Sequence, residues 1–179
     1  MVLLPAMLMV AAVLLMVNPF FNPGPLFFHQ KRMGRYCRAF HAVKFRSMSV
    51  QKTCLRGPND PMECDRITPI GRFLRRSRFD ELPQILNVYR GEMSLIGPRP
   101  DYFHHASHFL QSIPEYRLRH TVRPGISGLA QIELGYAEGI DATRLKTAAD
   151  IDYIRRAGFR LDTWIFWRTI TAVVRLRGS

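Results

Sequence analysis

From Val2 to Val17 the chain reads VLLPAMLMVAAVLLMV, with no charge and no polar side chain. A helix this uniformly apolar needs protein or lipid on every side. At 1.5 Å per residue it would measure about 24 Å, short of the roughly 30 Å of a bilayer hydrocarbon core. A secretory signal would open on basic residues and close on a small-residue cleavage site, and neither flanks the run. The favoured reading is a membrane segment that enters one leaflet and returns. Pro5 is placed to break it, and Phe20 and Phe21 lie near the interface. The remainder of the chain is basic: 26 Lys and Arg against 14 Asp and Glu give a formal net charge of +12. Positive charge of this kind is retained on the cytoplasmic side, where anionic lipid attracts it. It also favours polyanionic partners, whether nucleic acid, phosphorylated small molecules or a membrane face.

At 179 residues the chain can bury one core without disulfide help. Cys37, Cys54 and Cys64 are odd in number and lack metal-ligand spacing, which suits a reducing compartment. No repeat, low-complexity tract or flexible linker interrupts the sequence, so 1–22 is expected to be a membrane-associated segment and 23–179 one compact unit. LFFHQ (26–30) and AFHAVKF (39–45) predict two strands around a turn at Gly34. The polar stretch 49–66 predicts a surface loop. A short basic helix is expected over 70–76. A second begins at Asp80 as N-cap, tolerates Pro83 in its first turn and stops at Gly91. IGPRP (96–100) and RPGISG (123–128) read as loops. Further helices are expected from about 101 towards Pro114, over 141–156, and from Asp162 to Val174. The last combines Trp164, Phe166 and Trp167 with Arg168, Arg175 and Arg177, a mixture that suits either a membrane-surface helix or a core helix with a basic end.

Arg99 stands between Pro98 and Pro100, whose rings leave its backbone little freedom. A guanidinium presented in this way suits bidentate phosphate recognition. Arg75, Arg76 and Arg78 precede the acid pair Asp80 and Glu81, and Lys44 and Arg46 end the second expected strand. Together these residues predict a phosphate pocket floored by two acids. Among the arginines, the Asp80 carboxyl is expected to favour its ionised form. His104, His105 and His108 fall on an expected helix and read as polar surface rather than as a zinc site.

GRFLRRSRFDELPQILNVYRGEMSLIGPRP (71–100) resembles the core of the bacterial sugar transferases, the monotopic phosphoglycosyl transferases, and PGPLFFHQKRMG, AFHAVKFRSM and VRPGISGLAQ continue the resemblance in order along the chain. The resemblance implies an α+β fold: a mainly helical catalytic domain with a small β-hairpin, an N-terminal re-entrant membrane helix and amphipathic interfacial helices. It implies transfer of a sugar-1-phosphate from a UDP-sugar to undecaprenyl phosphate with release of UMP, the step that starts exopolysaccharide, capsule, O-antigen or glycoprotein glycan assembly. Asp80 then falls on the nucleophile and Glu81 on the residue supporting Mg²⁺. Arg99 falls on a phosphate ligand, Lys44 and Arg75 lie near the phosphates, and Asp162 matches a required acid. The implied location is the cytoplasmic face of the bacterial inner membrane, with the lipid leaflet as partner, no nucleic acid, and room for a homo-oligomer. After Gln131 the family's asparagine-glycine-arginine run is replaced by IELGY, so an arginine expected there is missing and the sugar is not indicated. Two other readings of the residues stay open, a membrane-tethered basic binding protein and a UDP-sugar hydrolase.

Overall fold

The computed structural model describes residues 3–50, 64–135 and 139–174. The apolar run forms one continuous helix, α1 (Leu3–Phe21). Pro5 lies in its first turn, where the missing N–H has no helical acceptor to lose, so it does not break the helix as expected. The helix also continues through Asn18 and Pro19 beyond the apolar run. Met7, Leu14 and Asn18 are buried, and Leu4, Val10 and Ala11 pack beside them on Phe45, Leu74 and Ile85. The opposite face exposes Leu8, Met9, Val13, Leu15, Met16 and Phe20.

The expected hairpin is present. Strands β1 (Phe27–Met33) and β2 (Ala39–Phe45) pair antiparallel, from Phe27 opposite Phe45 to Met33 opposite Ala39. β1 runs three residues past the expected end, because the reversal is made by a 3₁₀ turn at Arg35–Cys37 in which Tyr36 and Cys37 take positive φ. The loop expected over 49–66 lies mostly outside the described residues. Its ends are tied by a bridge between Met48 and Ile67 and by the Ser49 amide donating to Arg66 O.

Next come α2 (Pro69–Ser77), capped by the Thr68 hydroxyl accepting from the Gly71 amide, a 3₁₀ segment over Phe79–Gln84, and the short α3 (Ile85–Tyr89). Gly91, at φ 74°, ends α3 as expected. IGPRP is a loop from Gly97 on, entered from strand β3 (Ser94–Ile96), whereas RPGISG is not simply a loop, because it contains strand β4 (Gly125–Ser127); the two strands pair in parallel. Between them lies α4 (Phe103–Ser112), and after them α5 (Leu129–Glu133), α6 (Ile140–Arg156) and α7 (Phe159–Val174). The architecture is therefore mixed helix and sheet, mainly helical, with a small antiparallel hairpin and one apolar N-terminal helix. On α7, Ile165 is buried while Phe159, Trp164, Phe166, Trp167 and Ile170 are exposed. Arg175 and Arg177 lie outside the described residues.

Candidate active site

The acid pair does not sit at an α-helical N-cap. α2 ends on Arg78, which takes the left-handed conformation at φ 56°, and Asp80 and Glu81 lie inside the 3₁₀ segment next to it. The reversal at Arg78 turns the chain inward, and both acids are buried. Asn87, also buried, fastens this segment to the hairpin. Its Oδ1 accepts from the Val43 amide at 3.0 Å, and its Nδ2 donates to His41 O at 2.8 Å and to Glu92 Oε2 at 2.7 Å. The residue after Val43 is Lys44, so the same contact sets Lys44 opposite the acids.

Glu81 is the meeting point. Lys44 Nζ donates to its Oε1 at 2.9 Å, Arg99 Nη1 donates to Oε2 at 3.1 Å, and Arg99 Nη2 bonds Oε1. Burial pushes this carboxyl towards its neutral form, but Arg99 and Lys44 outweigh burial and hold it well below the usual carboxylate range. For Asp80 the balance falls the other way. Burial is the largest influence and raises it to about 6, against the pull of Lys44, Arg99 and Arg75. The expectation that its ionised form is favoured is therefore corrected: the cations are present, but depth outweighs them. The Asp80 carboxylate takes part in none of the hydrogen bonds among the described residues, whereas its neighbour's carboxylate accepts three.

The approach of Arg99 depends on the strands the sequence hid. The Gly97 amide donates to Ser127 O at 2.9 Å, and the Gly125 amide donates to Pro98 O at 3.0 Å. A Cβ on Gly125 would stand 2.2 Å from the Gly97 nitrogen, so only glycine allows the two backbones this close. Arg99 Nη1 also donates to Ile126 O at 3.2 Å.

Of the residues singled out in the sequence, the fold brings Asp80, Glu81, Lys44 and Arg99 together, with Arg75 half-buried and contributing to the field at Asp80. Arg46 does not join them. It is buried, donating from Nη1 to Asn22 Oδ1 at 2.7 Å and from Nε to Pro25 O at 2.7 Å, so it ties the end of α1 to the hairpin and is no phosphate ligand. Asp162 lies in the first turn of α7 rather than opening it, because the helix begins at Phe159, and its Oδ1 accepts from the Tyr153 hydroxyl at 2.9 Å. That bond joins α6 to α7. His104 and His108 are exposed on α4, and His105 packs edge-on against Tyr102. Sequence reasoning missed Asn87 and Arg119. A signal existed for Asn87, an amide in the otherwise apolar ILNVY of α3. Arg119 gave none, since one arginine in YRLRH resembles the next.

No group of three or more metal-binding side chains occurs among the described residues. Mg²⁺ asks for less, commonly one or two carboxylates with phosphate oxygens and water completing its shell. Glu81 can meet that requirement. Oε1 of Glu81 accepts from two cations, but Oε2 accepts one bond and keeps a lone pair.

A sequence model of the family described as bacterial sugar transferase matches residues 1–176. The UDP-N-acetylgalactosamine-undecaprenyl-phosphate N-acetylgalactosaminephosphotransferase of Aeromonas hydrophila is 44% identical over 86% of this chain and 36% of its own length. The UDP-glucose:undecaprenyl-phosphate glucose-1-phosphate transferase of Caulobacter vibrioides is 41% identical over 86% of this chain and 56% of its own. The exopolysaccharide production protein PSS of Rhizobium leguminosarum is 37% identical over 84% of this chain and 78% of its own. The chain thus spans from about a third to just over half of the first two relatives and most of the third.

Proposed function

Because this chain belongs to the bacterial sugar transferase family, we propose that it transfers a sugar-1-phosphate from a UDP-sugar to undecaprenyl phosphate, releasing UMP and starting assembly of a lipid-linked glycan such as an exopolysaccharide. The observation that carries the reading is the contrast between the acids. Glu81 is held by Lys44 and Arg99, whereas Asp80 lies beside them with its carboxylate unbonded. A carboxylate with a pKa of about 6 is mostly ionised at neutral pH and needs no general base.

In this mechanism an Asp80 oxygen forms a bond to the phosphorus bearing the sugar. The bond from that phosphorus to the UMP oxygen breaks, and its electron pair leaves with UMP. An oxygen of the polyprenol phosphate then attacks the same phosphorus and returns Asp80 as a carboxylate. Arg99 and Lys44 face the charge that grows on the phosphate oxygens, Arg75 adds to the field, and Glu81 fixes where the two cations stand. Glu81 would hold Mg²⁺, which when bound would neutralise pyrophosphate charge. Asp162 contributes by holding the joint between α6 and α7 through its bond from Tyr153. We further read 1–22 as membrane-associated and 23–179 as the catalytic domain on the cytoplasmic face. The Aeromonas and Caulobacter relatives are named for N-acetylgalactosamine and glucose respectively, so the sugar is left to experiment.

The test is a panel of UDP-sugars with Mg²⁺. Without lipid acceptor, the correct donor gives a burst of UMP no larger than the enzyme present, and the Asp80 peptide gains the mass of one phosphosugar. With undecaprenyl phosphate, turnover becomes continuous. Equal turnover with and without the lipid favours a hydrolase. No turnover with any donor, alongside salt-sensitive binding of polyanions, favours a basic binding protein.

A further inference from the structure

The backbone around Arg99 is bonded more completely than a rigid turn requires. Its two prolines have no N–H, so their residues can be fixed through hydrogen bonds only at their carbonyls. Four carbonyls in succession are taken. Pro98 O accepts from the Gly125 amide at 3.0 Å, Arg99 O from Arg119 Nη2 at 2.7 Å, Pro100 O from Arg32 Nη1 at 2.8 Å, and Asp101 O from the Met33 amide at 3.1 Å. Two of the four donors are guanidiniums, and each is itself held. Arg32 bonds Gln30 through Nε at 3.0 Å. Arg119, whose side chain is 1% exposed, gives Nε to Asp150 Oδ2 at 2.9 Å and Nη1 to the Asp101 carboxylate, and it lies 3.1 Å from the Tyr116 hydroxyl. Lys146 takes the other oxygen of Asp101.

A buried ionic network of this size is a poor device for stability alone, since an apolar cluster of equal volume often serves as well or better. What it supplies is a fixed geometry, and its output points at the backbone of one residue. We propose that Arg119 and Arg32 are positioning residues, which clamp the Arg99 and Pro100 carbonyls so that the Arg99 guanidinium stays aimed at Glu81 and at the phosphates assigned to this site. The proposal rests on the transferase reading for the identity of those phosphates, but not for the clamp itself.

Arg119→Lys keeps a cation between Asp101 and Asp150. Its single nitrogen cannot span both carboxylates and Arg99 O as three guanidinium nitrogens do. The experiment is a double-mutant cycle on UMP release with undecaprenyl phosphate, using Arg119→Lys, Arg99→Lys and the pair, with Arg156→Lys as an exposed control and a thermal melt of each. We expect Arg119→Lys to lose about tenfold or more in kcat/KM, and the pair to be no slower than Arg99→Lys alone, because a residue acting through Arg99 has nothing left to act on. Losses that multiply overturn the proposal. Should Arg119→Lys fail to fold, Arg32→Lys enters the same cycle with the same two outcomes. If wild type turns over no UDP-sugar, the transferase reading falls and the clamp is judged by ¹⁵N relaxation of the Arg99 Nε–H. Loss of order in the Arg119 or Arg32 variant supports the clamp, and unchanged order overturns it.

Discussion

Asp80 is a group whose usefulness and whose cost to the fold have the same source. Burial raises its carboxyl from 3.8 to about 6, so between those pH values the folded chain holds a proton that the unfolded chain has released. Stability contributed by this group therefore falls as pH rises through that interval, and above it the folded state carries the full penalty of a buried charge. Asp80→Asn should remove the penalty and stabilise the protein by on the order of 3 kcal/mol at pH 7.5, with the gain vanishing near pH 4, while abolishing the UMP burst. Chemical denaturation at the two pH values checks this, and a gain that is equal at both, or a loss at pH 7.5, refutes it. Wild-type turnover should rise between pH 5 and 7 with an apparent pKa near 6. The sequence announced every ionisable group in this balance, because Lys44, Arg75, Glu81 and Arg99 stand in recognisable motifs. It did not announce depth. Whether a carboxyl among cations is favoured or disfavoured as an anion depends on how much water reaches it, and that is settled by Asn87 and the reversal at Arg78, which draw the acids inward.

The elements that sequence periodicity revealed are those built from local contacts: the hairpin, α2, α4, α6 and α7 each lie within a few residues of expectation. The parallel pair β3 and β4 escaped because each strand has three residues, too few to show an alternation, and their partners are about thirty positions apart, as a parallel connection allows. Separation in sequence also hid Arg119, whose partners Arg99 and Asp101 lie 20 and 18 positions before it and Asp150 lies 31 after it. These hidden elements bond the backbone that carries Arg99, and the prediction is that they set its position. Gly125→Ala tests that at the level of the pair. Its Cβ would press on Gly97 backbone atoms at 2.2 and 2.6 Å, and backbone cannot move aside as a side-chain tip can. We expect a cost of about 1–3 kcal/mol in stability, typical of forced overpacking, and a fall in kcat/KM larger than the unfolded fraction explains. A variant with normal activity at temperatures where it is fully folded would show that the strand pair does not set Arg99.

At the scale of the molecule, the proposed membrane association of α1 rests on its two faces. With its C-terminal extension the helix measures about 28 Å at 1.5 Å per residue, so length alone no longer argues against a full crossing. Packing does. Leu4, Met7, Val10, Ala11 and Leu14 rest on the cluster containing Phe45, Leu74 and Ile85, and Asn22 is locked to Arg46 at the far end. In this conformation α1 rests on the domain from Leu4 to Leu14, an arrangement that supports the proposed path that starts and ends on one side. Its other face, from Leu8 to Phe20, stays exposed and apolar, as a helix sunk lengthwise into one leaflet requires. The prediction is that Leu3→Cys, in a chain whose three native cysteines are replaced by serine, resists an impermeant thiol reagent applied to the periplasmic side of intact cells. It should react once the cytoplasmic side is opened. The serine background must retain UMP release, so that the labelled protein is the folded one. Labelling of intact cells from the periplasm would mean that α1 leaves the domain and crosses, and the packing of Met7 and Leu14 would then belong to a conformation that the membrane does not permit.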